Sequence, residues 1–272
     1  MTGTWVPAGV DITKPSAARV YDCLLGGGHN FPADRHVADF IVTRLPWARE
    51  IAGSNRAFLR RAVLFMAEQG ITRYLDLGSG IPTVGNVHEI AQRAYPDSRV
   101  VYVDYEPVAV AHSELLLSDN DRAAVVRADL TDADGVLSAD AVRDLFDTGE
   151  PIGLLMVAVH HFVPDEKDPA ALVARYRDAL PPGSHVAISH LTADHDPDGM
   201  AAVTRSMADG PDPMYFRTFD RVAELFDGMD LVEPGLVDAP RWRPEPGITG
   251  AGLVRGVYAG VARVRGGAAG PG

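Results

Sequence analysis

The chain has 272 residues, 46% hydrophobic and 23% charged, enough apolar side chain to build a soluble core without a disulfide or a structural metal. Acidic residues outnumber basic ones 37 to 25, and the formal net charge of -12 excludes a general nucleic-acid binder, because phosphate recognition needs a basic face. The one cysteine, Cys23, excludes an internal disulfide, and the longest apolar run, Gly153 to Val159, is too short to cross a bilayer. The first residues lack the basic start and apolar centre of a signal peptide, so a cytoplasmic protein is expected.

Residues 1–15 read as a loose arm, and the region from Pro15 to Leu45 as helical, interrupted by a turn at Gly26, Gly27 and Gly28. A second helical stretch is expected to start at Ser54, with Phe58, Ala62 and Phe65 on one face and Gly70 as its stop. Strands and helices then alternate. Strands are predicted at Arg73–Leu77, Arg99–Asp104, Ala124–Ala128, Ile152–Val159 and His185–Ser189. Helices fall between them at Val87–Ala94, Pro107–Leu117, Ala139–Phe146 and from Pro169 to Leu180, the last capped by Asp168. Residues 192–217 are polar and irregular and suggest a flap or an inserted helix, with Met200, Met207 and Met214 as possible pocket lining. Phe219–Phe226 is helical, Leu231–Val237 and Val254–Val264 read as two final strands, and residues 265–272 form a disordered tail.

Continuous apolar strands alternating with helices predict a doubly wound α/β domain around a mostly parallel sheet. Ligands in such sheets bind beyond the carboxyl ends of the strands, near the point where strand order reverses. The residues there are Asp76 to Thr83, Asp104, Asp129, His160 and His190. In YLDLGSGIPT, Gly78 and Gly80 allow a sharp bend and a ligand lying against the backbone, while Asp76 offers a carboxylate to a ligand ammonium. A nicotinamide loop would place a third glycine where Thr83 stands, and the lysine of a phosphate loop is missing. Asp104 suits either a ribose diol or a cap ahead of Pro107. Asp129 suits an adenine amino group or a simple turn, with the Leu130 amide beside it. Three acids after three successive strands fit an adenosine-bearing ligand that is not rich in phosphate.

The ordered segments PSAARVYDCLLGGGHNFPADR, NRAFLRRAV, YLDLGSGIPT, RVVYVDYEP, VAVHHFV, PPGSHVAISH and VEPGLV followed by WRP resemble class I S-adenosylmethionine-dependent methyltransferases, and more narrowly an actinobacterial group of uncharacterised substrate. The resemblance runs from about Asp11 to Val264 and implies a Rossmann-like, seven-stranded sheet whose last strand is antiparallel. It places the cofactor, S-adenosyl-L-methionine, on Asp76, Gly78, Ser79 and Gly80, its ribose on Asp104 beside Tyr105, and its adenine on Asp129 and Leu130. Val159 and His160 would lie beside it, and Pro82 stands where many relatives carry another glycine.

A sulfonium donor carries its own activation, so the protein mainly positions the nucleophile and excludes water. A base is needed only when the acceptor must lose a proton, and His160 and His161 are the candidates, unless they simply pack in the core. Residues 1–53 are expected to form an arm and a helical cap or lid over a methyltransferase domain at 54–264, with Tyr21 touching the cofactor and Arg56 pairing with its carboxylate. No histidine or cysteine spacing suggests a metal. The acceptor is expected to be a small molecule, with no nucleic acid or membrane as partner. A non-catalytic cofactor-binding module is the main alternative, and a nicotinamide-dependent reductase a weaker one.

Overall fold

A computed structural model describes residues 10–82, 85–208, 210–245 and 254–265. Residues 1–9 of the expected arm, Thr83 of the loop motif and residues 266–272 of the expected tail lie outside the described residues.

Three helices precede the sheet: α1 (Ala17–Leu24), α2 (Pro32–Arg44) and α3 (Ala48–Glu68). Ser16 caps α1 by accepting from the Arg19 amide. The glycine turn wraps the Asp22 carboxylate, whose Oδ2 accepts from the His29 amide at 2.9 Å and from Asn30 Nδ2 at 2.8 Å. A Cβ on Gly27 would stand 1.9 Å from Asp22 Oδ1, so only glycine passes there. Asp34 accepts from the amides of Phe31 and Ser16 and pairs at 2.9 Å with buried Arg19, which also reaches Glu106 at 2.9 Å. The polar residues of this segment thus tie α1 to α2 and both to Glu106.

Helix α3 starts before the expected Ser54, which sits inside it. Buried Ala48, Ile51, Ala52, Asn55, Phe58, Leu59 and Ala62 continue the helical spacing upstream, so burial of that stripe overrides the local preference of Ser54 for a cap. The expected domain boundary at 53 therefore falls within a helix. Arg61 donates to the carbonyls of Ala239 and Trp242. Trp242 is fully buried and meets Phe58 and Phe65 edge-on.

The sheet contains β1 (Arg73–Leu77), β2 (Arg99–Asp104), β3 (Ala123–Arg127), β4 (Gly153–Val157), β5 (His185–Leu191), β6 (Met229–Leu231), β7 (Val237–Asp238) and β8 (Val257–Val264). The intervening helices are α4 (Val87–Ala94), α5 (Pro107–Leu116), α6 (Ala133–Ser138), α7 (Asp140–Phe146), α8 (Pro169–Ala179), α9 (Pro197–Met207) and α10 (Phe219–Ala223). Strand order is β3-β2-β1-β4-β5-β8-β6; β1 to β5 run parallel, and β8 is antiparallel to both its neighbours. Seven strands lie on that path as expected, and two-residue β7 adds an eighth by pairing with β8. The expected strand 231–237 is split because Pro234 has no amide to donate and Gly235 turns back with φ +86°. The flap region carries α9, capped by Asp196. One buried cluster lies under α1–α4 with Trp242, and another under α6–α8 and the α10 segment. Helices therefore cover both faces, as apolar β1, β2 and β4 require.

Order reverses at β1: β2 and β3 lie on one side of it, β4 and β5 on the other. The crevice above that switch point is where a ligand fits.

Candidate cofactor and acceptor cleft

A cavity of about 470 Å³ opens at the carboxyl ends of the parallel strands and is covered by residues of α1, α2, α3 and α9. It is lined by Tyr21, Arg56, Asp76, Gly78, Ser79, Gly80, Asp104, Tyr105, Asp129, Leu130, Val159 and His161. His160 is not among its lining residues.

The loop after β1 is shaped by two positive-φ glycines, Gly78 at +69° and Gly80 at +67°. A Cβ on Gly78 would stand 2.4 Å from Val159 Cγ2, so the β1 and β4 ends can approach only with glycine there. The amides of Gly78 and Ser79 donate to the Val103 carbonyl, and the Gly80 amide donates to Asp104 Oδ2 at 2.7 Å. Asp104 Oδ1 accepts from the Glu106 amide at 2.9 Å. The cap of α5 is Glu106, which accepts from the Ala109 amide, so Asp104 is not the helix cap.

Asp76 is 5% exposed, and burial pushes its pKa up to about 7; Arg56 draws it down and Asp104 pushes it further up. Burial also raises Asp104, against the opposing pull of three backbone amides. Arg56 Nη2 donates to the Gly85 carbonyl and to Asn86 Oδ1, whereas its buried Nε has no partner in the protein. Asp129 is exposed, with one carboxylate oxygen accepting from the Thr131 amide. Leu130 is buried and its carbonyl accepts from the Tyr176 hydroxyl.

Tyr21 lines the cavity, but its hydroxyl already donates to the Ala52 carbonyl and accepts from Asn55 Nδ2. Asn55 Oδ1 accepts from Ser189 Oγ at 2.5 Å, and Ser189 Oγ accepts from the Ala158 amide at 2.9 Å. Ala158 has φ +57°, a left-handed conformation that a non-glycine residue holds only when its surroundings impose it. The chain Tyr21–Asn55–Ser189–Ala158 thus fixes the bend at the end of β4. Tyr105 bonds to Asp212, which also accepts from the Ala17 amide, so the segment after α9 is fastened over the cleft.

A 3-10 turn carries His160–Phe162. His160 is fully buried with both ring nitrogens unpartnered, and burial drops its pKa to about 3, with His190 and Arg217 pushing the same way. His161 is held well below the usual histidine range, by burial first and then by His190. His190 Nδ1 lies 2.6 Å from the Leu191 carbonyl and Nε2 lies 3.0 Å from Arg217 Nη1; only a neutral ring donating at Nδ1 satisfies both. Arg217 also donates to the carbonyls of His160 and Val163 and to Asp165, clamping the turn from outside. Asn55, Ser189, Asp212 and Arg217 were not evident from the sequence, although Asn55 sits next to Arg56 in one quoted segment and Ser189 next to His190 in another. Among the described residues no cluster of His, Cys, Asp and Glu could hold a metal, and no helix is long and apolar enough to cross a membrane.

The glycine bend and the ordered acids are accompanied by a full-length family match: the model of the S-adenosyl methyltransferase family covers residues 3–265. The chain belongs to that family. It is an S-adenosylmethionine-dependent methyltransferase. A crystal structure of a DUF574 family protein from Streptomyces avermitilis is 38% identical over 93% of this chain and 100% of that one, with a TM-score of 0.88. A candidate methyltransferase from Thermobifida fusca is also 38% identical, over 97% of this chain and 100% of that one, with a TM-score of 0.91. The N-methyltransferase NodS from Bradyrhizobium japonicum, solved with S-adenosyl-L-homocysteine, shares the fold at 14% identity, with 90% and 98% coverage and a TM-score of 0.50. A comparison with curated proteins gave no match. In this methyltransferase the cavity lies at the sheet's switch point.

Proposed function

We propose that the cleft binds S-adenosyl-L-methionine across the ends of β3, β2, β1 and β4 and directs its methyl group to a small molecule lodged beyond β4. The observation that carries this reading is the bend at Gly78 against Val159, with Asp76 and Asp104 at the carboxyl ends of β1 and β2 and Asp129 just after β3, three strands that neighbour one another. The donor set fits the ligand: buried Asp76 receives the ammonium, and Arg56, whose Nε has no protein partner, receives the carboxylate. Asp104 retains acceptor capacity beyond its bonds to backbone amides for a ribose diol. Asp129 and the Leu130 amide meet the adenine edge.

Bound there, S-adenosyl-L-methionine supplies a methyl group already activated by its sulfonium. The chain's own residues orient and enclose it. Gly78 and Gly80 let it lie on the backbone, the fastened segment at Asp212 excludes water, and neutral His161 can accept a hydrogen bond from the acceptor and orient it. His160, buried away from the cavity lining, supports the turn. Helices α1 and α2 serve as the lid of the cleft.

Calorimetry with S-adenosyl-L-methionine and S-adenosyl-L-homocysteine tests the reading. Saturable one-to-one binding is expected, with Asp104→Ala weaker by about tenfold or more, the worth of one to two charge-assisted hydrogen bonds. A folded wild-type chain that ignores both compounds overturns it.

A further inference from the structure

The cavity changes character along the sheet. Its charged lining belongs to the β3–β2–β1 side: Asp76, Asp104, Glu106 and Asp129 stand at or just past the carboxyl ends of those strands, and Arg56 faces Asp76. Lys167 and Asp212 are bonded to it, through Thr131 after β3 and Tyr105 after β2. The side toward β5 and α9 is built from Leu24, Ile41, Ile51, Leu191, Met200 and Met207, contributed by α1, α2, α3, β5 and α9. Tyr21 and Asn55 bring polar atoms to this side, but these are bonded to each other, to Ala52 and to Ser189. His161 is the imidazole among the described lining residues, and its Nδ1 is buried without a partner.

A carboxylate, phosphate or ammonium in such a chamber would lose its water and find no counter-charge, a loss that apolar contact does not offset. Methionine side chains adapt to irregular shapes and make favourable contacts with aromatic rings. We propose, resting on the cofactor reading above, that the methyl acceptor is a neutral, mainly hydrocarbon aromatic molecule carrying a hydroxyl, of the class of uncharged phenols, seated between α1, α2 and α9 with its hydroxyl toward His161. Amino acids, nucleotides and acidic metabolites are refused.

The test uses the full chain saturated with S-adenosyl-L-homocysteine, whose binding is measured first. Fluorescence titration then compares naphthol with naphthoate and naphthylmethylammonium, three probes of one ring size and different charge. Naphthol should saturate a single site, with both ions at least about tenfold weaker, a modest demand for an unpaired charge. Half-buried Leu24 and Leu191 provide variants: Leu24→Glu and Leu191→Glu should each weaken naphthol about tenfold or more while keeping the affinity for S-adenosyl-L-homocysteine, which also reports that they fold. Equal or tighter binding of either ion overturns the proposal, as does naphthol affinity unchanged in both folded variants. Wild-type chain that takes the nucleoside but no naphthol overturns the acceptor class alone. Chain that takes no nucleoside overturns the cofactor reading, and the acceptor class with it.

Discussion

Ser189 Oγ donates to Asn55 Oδ1 at 2.5 Å, joining two residues 134 positions apart and connecting the end of β5 to the middle of α3. Because the same hydroxyl accepts from Ala158 and the same amide donates to Tyr21, Asn55 holds α1, the sheet and the strained β4 end in one register. Asn55→Ala should leave two buried partners unsatisfied and cost about 2–4 kcal/mol of stability. Urea unfolding of the variant checks this, and Ser189→Ala should add little to a chain already lacking Asn55, since both belong to one network.

Gly78→Ala places a methyl against Val159 and forces a left-handed backbone on alanine. Cofactor affinity should fall about tenfold or more, since the backbone conformation alone costs about 1–2 kcal/mol. Combining it with Val159→Ala removes the Cγ2 contact but leaves Cβ at 3.0 Å and the backbone cost, so calorimetry should find only partial recovery.

Asp76 gives the proposed ammonium site a pH dependence. Burial holds its carboxyl at about 7 in the free protein, so below that pH the group is neutral and must lose a proton to meet an ammonium. Affinity for S-adenosyl-L-homocysteine should therefore be highest above about pH 7 and fall as the solution is acidified, by up to about tenfold per unit. Asp76→Asn should bind weakly at every pH and flatten that dependence. A pH series of titrations on both proteins measures it.

The buried histidines make stability fall on acidification. His190 has its folded pKa lowered to about 4 and His160 to about 3, so between those values and the usual 6.5 the unfolded chain binds protons that the folded chain does not. Unfolding free energy then rises with pH in that window and is lost as pH drops below 6.5. Asp76 works in the opposite direction between 3.8 and about 7, as do Asp104 and Glu106, whose carboxyls burial also raises, so the histidine contribution is isolated by comparing variants. His190 alone accounts for about 3 kcal/mol at most across its window. His190→Gln, which keeps an acceptor for Arg217, should show a shallower loss between pH 6.5 and 4 in urea unfolding.

The alternation of strands and helices was legible because each signal was local. Uninterrupted apolar runs marked β1, β2 and β4, Asp168 and Pro169 marked the start of α8, and glycine turns marked helix ends. Errors came where tertiary burial outweighed local preference, as at Ser54 within α3, or where one proline divided an apolar run, as at Pro234. The strand-end residues Gly78, Asp104 and Asp129 were legible for the same reason: their places follow from strand positions alone. Asn55, Ser189, Asp212 and Arg217 were not, because their roles exist only once distant segments meet. Arg217, for instance, grips a turn more than fifty residues upstream. The difference between His160 and His161 is likewise set by how a single 3-10 turn faces the cavity.

Arg19 ends between two carboxylates, Asp34 from its own helical pair and Glu106 from the turn that starts α5. Chain shuffling among relatives would have to move these three as a set, because a transplanted front half arriving without its matching glutamate would strand a guanidinium in a dry interior. The first two helices and the sheet are for that reason fastened to one another as a single unit.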